Sequence, residues 1–522
     1  MPTENSSNKR RSRPDDSEAT SDSTEAELRA GKRRAFLQTM GHQLREFGSE
    51  RNSSRDDRRS FAASANGRYY VPSLSGALAA ERAQSQIPPE SDVVPGEEDQ
   101  SPTGATKSAS EYLWRSSEVL TIPASNGSHA FSFDDLLDWT RYYFDNWHPA
   151  YPFLHAPTIL SYFEDAARNG VSDSDNTRAY QLIIIRSILS ISVADRRQTG
   201  TAMRPVPASL VFHSFNDAIS SIQRVLTDET SIPSLQAVVS VQLFLLSMLR
   251  YNAASRLEGL AVRMVFQLGL HRCPVQFSAF SRKEAELRKR LFWTIYCIDR
   301  YICLRLGIPL AIRDDDVNVC RPSSERHVES DDDPPDRDDR LDLLDFLARH
   351  AELRGSTMEL RNKSASHAGT EPDQAVIIGA ELTKWWNEVD EYLESTKYQS
   401  LPISRFHQVT LIVLRHESVI ALNRFIIATS KKSAAYNAAL QNCIGASRSV
   451  INTMYKALKG AGTLGVSPEA LQEIPENTPL LWPSFTWAVW MSAFIMIYAA
   501  NEDQVPREVA IRHVLKFPLS CS

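Results

Sequence analysis

The chain has 522 residues, 42% of them hydrophobic, and a formal net charge of −6. That length permits one large domain or two ordinary ones, and that charge excludes electrostatic binding of nucleic acid by the whole surface. Almost all of the apolar residues fall after about residue 110, so the capacity to build a core is confined to the remainder.

Residues 1–110 are poor in aliphatics and rich in Ser, Arg, Asp, Glu and Pro. Such a stretch cannot bury enough apolar surface to offset chain entropy, and it is predicted to be a disordered N-terminal arm. Two basic runs lie in it, KRRSR at 9–13 and GKRR at 31–34. Lys9, Arg10, Arg11, Arg13, Lys32, Arg33 and Arg34 are therefore candidates for a two-part nuclear-import signal, against the plainer reading of a solvated mixed-charge tail.

From Ser132 onward the pattern is helical. Ser132 is placed as an N-cap, with Asp134 and Asp135 in the first turn. Phe133, Leu136, Leu137, Tyr143, Phe144 and Trp147 then fall on one face. The prolines of HPAYPFLHAP (148–157) forbid a continuous helix there. Helices are predicted over 179–195, over 211–226, and over 235–249 with Ser234 as its cap. Leu257, Leu260, Ala261, Met264, Val265 and Leu268 mark the buried stripe of the next helix, which Gly269 closes in a left-handed conformation. A helix over 283–306 follows and stops before GIP, and AIRDDDVNVCRP leads out of it without helical pattern.

Residues 323–340 are acidic and carry prolines, and read as a solvated linker or loop. Helical periodicity resumes over 341–361, 375–396, 405–428, 434–459 and 484–500. No alternating strand pattern and no fixed repeat period stands out. The fold class is therefore all-α, a large helical domain with a disordered N-terminal arm and an acidic inserted loop. The uncharged stretch from Pro479 to Asn501 has Pro483 at its helix start. It leaves about 17 apolar residues, about 25 Å of helix against a hydrocarbon core of about 30 Å, so it reads as a buried core helix and no membrane partner is expected.

Motifs for chemistry do not assemble. The six cysteines, Cys273, Cys297, Cys303, Cys320, Cys443 and Cys521, form no C-x-x-C pair and read as reduced thiols. Cys297 and Cys303 lie about 240° apart on their helix, which supplies no His for zinc. Asp299, in the middle of that apolar helix, is either a catalytic carboxylate or a buried charge paired with an arginine from a neighbouring helix. The absence of a second acid or base nearby favours the pairing. His148 and His155 are seven apart, but Pro149, Pro152 and Pro157 break the geometry that would join them. His271, just past a helix end, is placed to bond the last carbonyls. GAGTLG (460–465) has the G-x-G-x-x-G spacing but follows a helix, not a strand, and reads as a cap and loop.

Several stretches in this order nevertheless form a set: FDNWHPAYPFLHAPTIL, AVRMVFQLGLHRCP and ELRKRLFWTIYCIDRYICLRLGIPLAIRDDDVNVCRP, then HQVTLIVLRHESVIALNRF and LLWPSFTWAVWMSAFIMIYAA. The set resembles the fungal-specific transcription factor domain, also called the middle homology region or xylanolytic-activator regulatory domain. The resemblance covers 131–322 as the core of the regulatory domain and continues through 341–510 as its C-terminal helical part. It implies an all-α fold and makes His148, Pro149, Pro152, His155, Gly269, His271, Arg290, Trp293, Asp299, Arg300, Gly307 and Pro309 structural hallmarks rather than catalytic groups. Phe292 stands where the family usually has the first Trp of its pair, and HES follows Arg415 where many members have H-R-P.

Members of that family usually also carry a binuclear zinc cluster, six cysteines opening as C-x2-C-x6-C, which reads DNA. The first cysteine in this sequence is Cys273. No cofactor is therefore expected in the chain, and zinc only with a six-cysteine module outside the sequence given. The resemblance implies a nuclear transcription regulator, not an enzyme. Its implied partners are a DNA-binding protein or homodimer mate, promoter DNA reached indirectly, the transcription machinery, and a small-molecule effector. The competing readings are a non-nuclear helical interaction protein and an enzyme on a helical scaffold.

Overall fold

A computed structural model of the chain describes residues 113–115, 117–120, 131–170, 176–199, 204–277, 279–322, 341–362, 374–395, 403–429, 433–458 and 483–514. The N-terminal arm with its seven basic candidates, the acidic 323–340 stretch, the GAGTLG segment and Cys521 lie outside these residues. Thirteen α-helices and one two-stranded parallel pair occur among the described residues.

Helix α1, Phe133–Tyr142, begins as predicted: Ser132 accepts from the Asp135 N–H, and Asp135 returns a bond from the Ser132 N–H. It runs directly into a π-helical turn, Tyr143–Trp147, which changes the helical phase. The predicted single face is accordingly split: Leu136, Tyr143 and Trp147 are buried, while Leu137 is exposed. Helices α2, Ala156–Asn169, and α3, Asn176–Thr199, follow. Trp147 Nε1 donates to Asp195 Oδ2 at 2.7 Å, locking the π turn onto α3.

The predicted helix over 211–226 is corrected. Val211 and Phe212 are not helical; a short helix, α4, spans Phe215–Ser221, and a 3-10 turn spans Gln223–Leu226. The cause is local, because the Val211 carbonyl accepts from Arg186 and the Phe212 carbonyl from Trp114, while Ser214 caps α4 through the Asp217 N–H. Strands are also present where none was predicted: β1, Val119–Leu120, pairs with β2, Val206–Pro207. Two residues each are too few to show alternation.

Helix α5, Ile232–Ser247, is buried without interruption from Ser234 to Ser247. Its N-cap is Ser231, not Ser234; Ile232 and Pro233 occupy the first turn and Ser234 completes the capping box. Most of its polar side chains find partners inside the core, although Gln242 Oε1 accepts no hydrogen bond among the described residues. Gln236 donates to the Phe153 carbonyl at 2.8 Å, and Ser240 and Ser247 bond carbonyls of their own helix. Leu249, at φ 60°, ends the segment in the left-handed region.

From α5 each helix packs on the next: α6 (Tyr251–Gln267), α7 (Arg282–Leu306), α8 (Asp342–Asn362), α9 (Gln374–Ser395), α10 (Arg405–Thr429), α11 (Ala434–Leu458), α12 (Pro483–Asn501) and α13 (Arg507–Val514). The pattern-derived boundaries of α7 to α12 fall within a residue of these. Gly269 and Gly307 both adopt φ near +60°, at 66° and 60°, and end the segments they follow. One core runs from Trp114 to Ala488, and a second, built around Ile420, Leu440, Cys443, Met491 and Met496, joins α10, α11 and α12. Among the described residues no helix is long and apolar enough to cross a membrane.

Two glycines of this frame respond oppositely to a methyl group. A Cβ on Gly355 would lie 3.0 Å from Arg300 Nε and 3.4 Å from its Cδ, whereas one on Gly259 meets nothing within 4 Å. Arg300 is held by two carboxylates, which oppose the shift that a Cβ would require. Gly259→Ala should raise stability by about 0.5–1 kcal/mol through helix propensity, and Gly355→Ala should lower it by about 1–3 kcal/mol through overpacking. Urea unfolding of the two variants reads both signs.

Candidate functional site

Helix α7 carries its charges into the core. Asp299 and Arg300 are both fully buried. Arg300 Nη1 donates to Asp299 Oδ2 at 2.5 Å, and Arg300 Nη2 donates to Asp314 Oδ1. The expected partner from a neighbouring helix is thus corrected to the adjacent residue. The Cα directions differ by about 100°, but the guanidinium is long enough to curl back, with its carbon 4.0 Å from the Tyr296 ring centre. Asp299 Oδ1 also accepts the Ala311 N–H at 3.2 Å and the Cys303 thiol at 3.3 Å. Gly307 makes this possible: its left-handed turn sends Pro309 to Asp314 back along α7, and the Pro309 carbonyl accepts from Cys303 as well.

A third acid closes the centre from α6. Glu258 is 3% exposed and accepts from Gln242 Nε2 of α5. Burial pushes its carboxyl well above the usual range, and the charge of Asp299 adds to the rise. Burial also raises the Cys297 thiol to about 12, and burial with the Asp299 charge raises Cys303 further. Both are therefore inert thiols rather than nucleophiles. Among the described residues no three His, Cys, Asp or Glu side chains converge as a metal site.

One turn along, α7 enters a second charged centre. Glu417 of α10 is fully buried and forms ion pairs with Arg305 of α7 and, at 3.4 Å, with Arg354 of α8. Arg305 lies between the rings of Tyr301 and Trp487, 4.8 and 4.2 Å from their centres, so α12 joins the same contact. Sequence reasoning passed over Glu417, Arg305, Arg354 and Glu258. A signal was available for Glu258 and Glu417, each the one acid of its helix, whereas Arg305 and Arg354 lie among several other charges.

The other residues that the resemblance singles out lie as follows. Trp293 is 3% exposed and donates to the Cys320 carbonyl at 2.9 Å, which holds the outgoing segment on the helix. Pro152 is buried and Pro149 half-buried in the turn after Trp147. His148 is lowered to about 4 by burial and by the positive charge of Arg290, and burial followed by the same Arg290 charge also depresses His155. The sequence-distant histidines and Arg290 thus share one neighbourhood. His155 Nδ1 lies 2.9 Å from Thr158 Oγ1. The expected bond from His271 to helix-end carbonyls is not made by Nδ1, which has no hydrogen-bond partner among the described residues. The ring instead meets Phe266 edge-on at 5.1 Å, and the His271 carbonyl accepts from Asn318.

On the C-terminal side, His407 Nε2 lies 2.9 Å from the Asn146 carbonyl and Nδ1 lies 2.9 Å from Ser404 Oγ. It is 3% exposed, and burial lowers it to about 4. The arrangement as a whole is a set of buried ion pairs inside a helical core, and among the described residues no nucleophile, base and oxyanion donor lie in mutual reach.

Residues 140–384 match the family described as the fungal specific transcription factor domain. The chain is 24% identical over 421 residues to "Probable transcription factor FUP6" of Fusarium proliferatum, covering 69% of this chain and 56% of that protein. It is 26% identical over 265 residues to "Transcriptional activator protein acu-15" of Neurospora crassa, covering 50% of this chain and 27% of that protein. Over 97 residues it is 37% identical to "Activator of stress genes 1" of Saccharomyces cerevisiae, 19% of this chain and 10% of the relative. The chain thus spans 56% and 27% of the length of the first two relatives.

Two expectations follow from the buried charges. Glu417→Ala strands two buried guanidiniums and should cost about 3–5 kcal/mol in urea unfolding, whereas replacing Glu417, Arg305 and Arg354 together by Leu or Met should cost less. For His407 the folded value near 4 lies below the usual 6.5. Its neutral form is the one that fits, so its contribution is complete above about pH 6.5 and is lost as pH falls toward 4. The stability difference between the wild type and His407→Gln should shrink by about 3 kcal/mol between pH 7 and pH 4. A constant difference across that range would contradict it.

Proposed function

With residues 140–384 forming a fungal specific transcription factor domain, we propose that the chain acts in the nucleus as the regulatory region of a zinc-cluster-type transcription regulator. It reaches promoter DNA through a DNA-binding partner or homodimer mate and passes its output to the transcription machinery. The observation that carries this reading is the family match together with relatives named as transcription factors and activators. The described core is consistent with it, since Asp299 pairs with Arg300, and Glu417 with Arg305 and Arg354, as structural charges. On this reading residues 131–322 and 341–510 act as one regulatory unit, and the hallmark residues from His148 to Pro309 serve its fold. The seven basic residues Lys9, Arg10, Arg11, Arg13, Lys32, Arg33 and Arg34 supply nuclear import.

Tethering tests the reading directly. The chain fused to an unrelated DNA-binding domain should change expression of a reporter bearing the matching sites by several-fold in a fungal host. Glu417→Ala, which disrupts the fold, should remove the effect. A fluorescent fusion should accumulate in nuclei and redistribute to cytoplasm when the seven basic residues are changed to Ala. A chain excluded from nuclei and without reporter output would overturn the proposal.

A further inference from the structure

Beside the α7 centre lies a half-open cavity of about 330 Å³, within the size range of small-molecule sites. Trp293 and Tyr296 of α7 and Val317 of the outgoing segment supply its apolar wall, and Asp314, Arg321 and Glu352 its polar groups. The two acids are presented differently. Asp314 receives both Tyr296 Oη and Arg300 Nη2 on the same oxygen, Oδ1. Its Oδ2 makes no hydrogen bond to a described residue, and half of the side chain is exposed. Glu352 is gripped at both oxygens by Arg321, at 3.0 and 2.7 Å.

The charged side chains that line this cavity leave an excess of one negative, Asp314 and Glu352 against Arg321. Burial raises the Glu352 carboxyl, Arg321 opposes the rise, and the nearby acids Asp314 and Asp345 add to it. An added positive charge would relieve that repulsion. An aromatic wall and a pre-positioned carboxylate oxygen are the two elements that bind organic cations.

We propose that this cavity is a binding site for a small organic cation, an ammonium or amidinium group on a flat apolar body. The cation donates to Asp314 Oδ2 and faces Glu352, while its apolar body lies against Trp293, Tyr296 and Val317. Arg321 occupies the Glu352 carboxylate and competes with the ligand for it. The inference goes beyond the transcriptional reading and stands without it, because it concerns binding alone.

Benzamidine, with benzamide and benzoate as its neutral and anionic counterparts, provides the probes. Titration calorimetry on the full chain should show saturable benzamidine binding at or below about 1 mM, with neither counterpart binding. Glu352→Gln should weaken benzamidine by about tenfold. Arg321→Ala should strengthen it several-fold, an opposite sign that general loss of folding cannot produce. Val317→Phe, which fills the cavity and keeps every charge, should abolish it. Equal binding of benzamide, no saturable binding by the wild type, or loss of affinity in Arg321→Ala would each overturn the proposal.

Discussion

A guanidinium with no access to water dictates much of this structure. Arg300 is fully buried, and an unpaired charge in that position would cost many kcal/mol. It is tolerated because two carboxylates meet it, one from its own helix and one from the segment beyond Gly307. The second forces that segment to turn back along α7 rather than continue outward. The left-handed glycine, the Ala311 bond to Asp299 and the Trp293 bond to Cys320 all serve that return. Gly355 answers the same demand from α8, since a Cβ there would press on Arg300 Nε at 3.0 Å.

The Glu417 centre repeats the logic on a larger scale. One buried acid binds bases from two helices, and an aromatic side chain from a third covers one of them. Buried ion pairs add little net stability over apolar packing of the same volume, but removing one member is expensive. Such centres therefore fix which helices face each other and in what register.

The fold class was legible because helical periodicity depends only on local spacing. Apolar stripes at 3.6-residue intervals located α7 to α12 within a residue, and Gly269 was readable as a left-handed stop for the same reason. What escaped were features decided by tertiary partners. Val211 and Phe212 have the apolar character of a helix, yet their carbonyls are taken by Arg186 and Trp114 from elsewhere in the chain. The π turn at Tyr143–Trp147 is held by Asp195 and Ser192 on α3. Asp299 was rightly read as a buried paired charge, but its partner could not be chosen by helical angle, because a flexible arginine reaches farther than its Cα direction suggests. Glu417 lay in a stretch noted for its resemblance and was overlooked, since one acid in an apolar helix names no partner until the fold supplies it.

The bond between His407 and the Asn146 carbonyl joins residues 261 positions apart. A contact of that span is entropically late: it cannot form while the intervening chain is still being made, and its closure slows folding relative to neighbouring-helix contacts. During synthesis the π turn and the prolines after it would thus emerge and wait for α10. Until then Asn146 must find water instead, and the apolar side chains around it stay accessible to chaperones. The order of translation therefore sets a vulnerable interval for this domain that its finished form no longer displays.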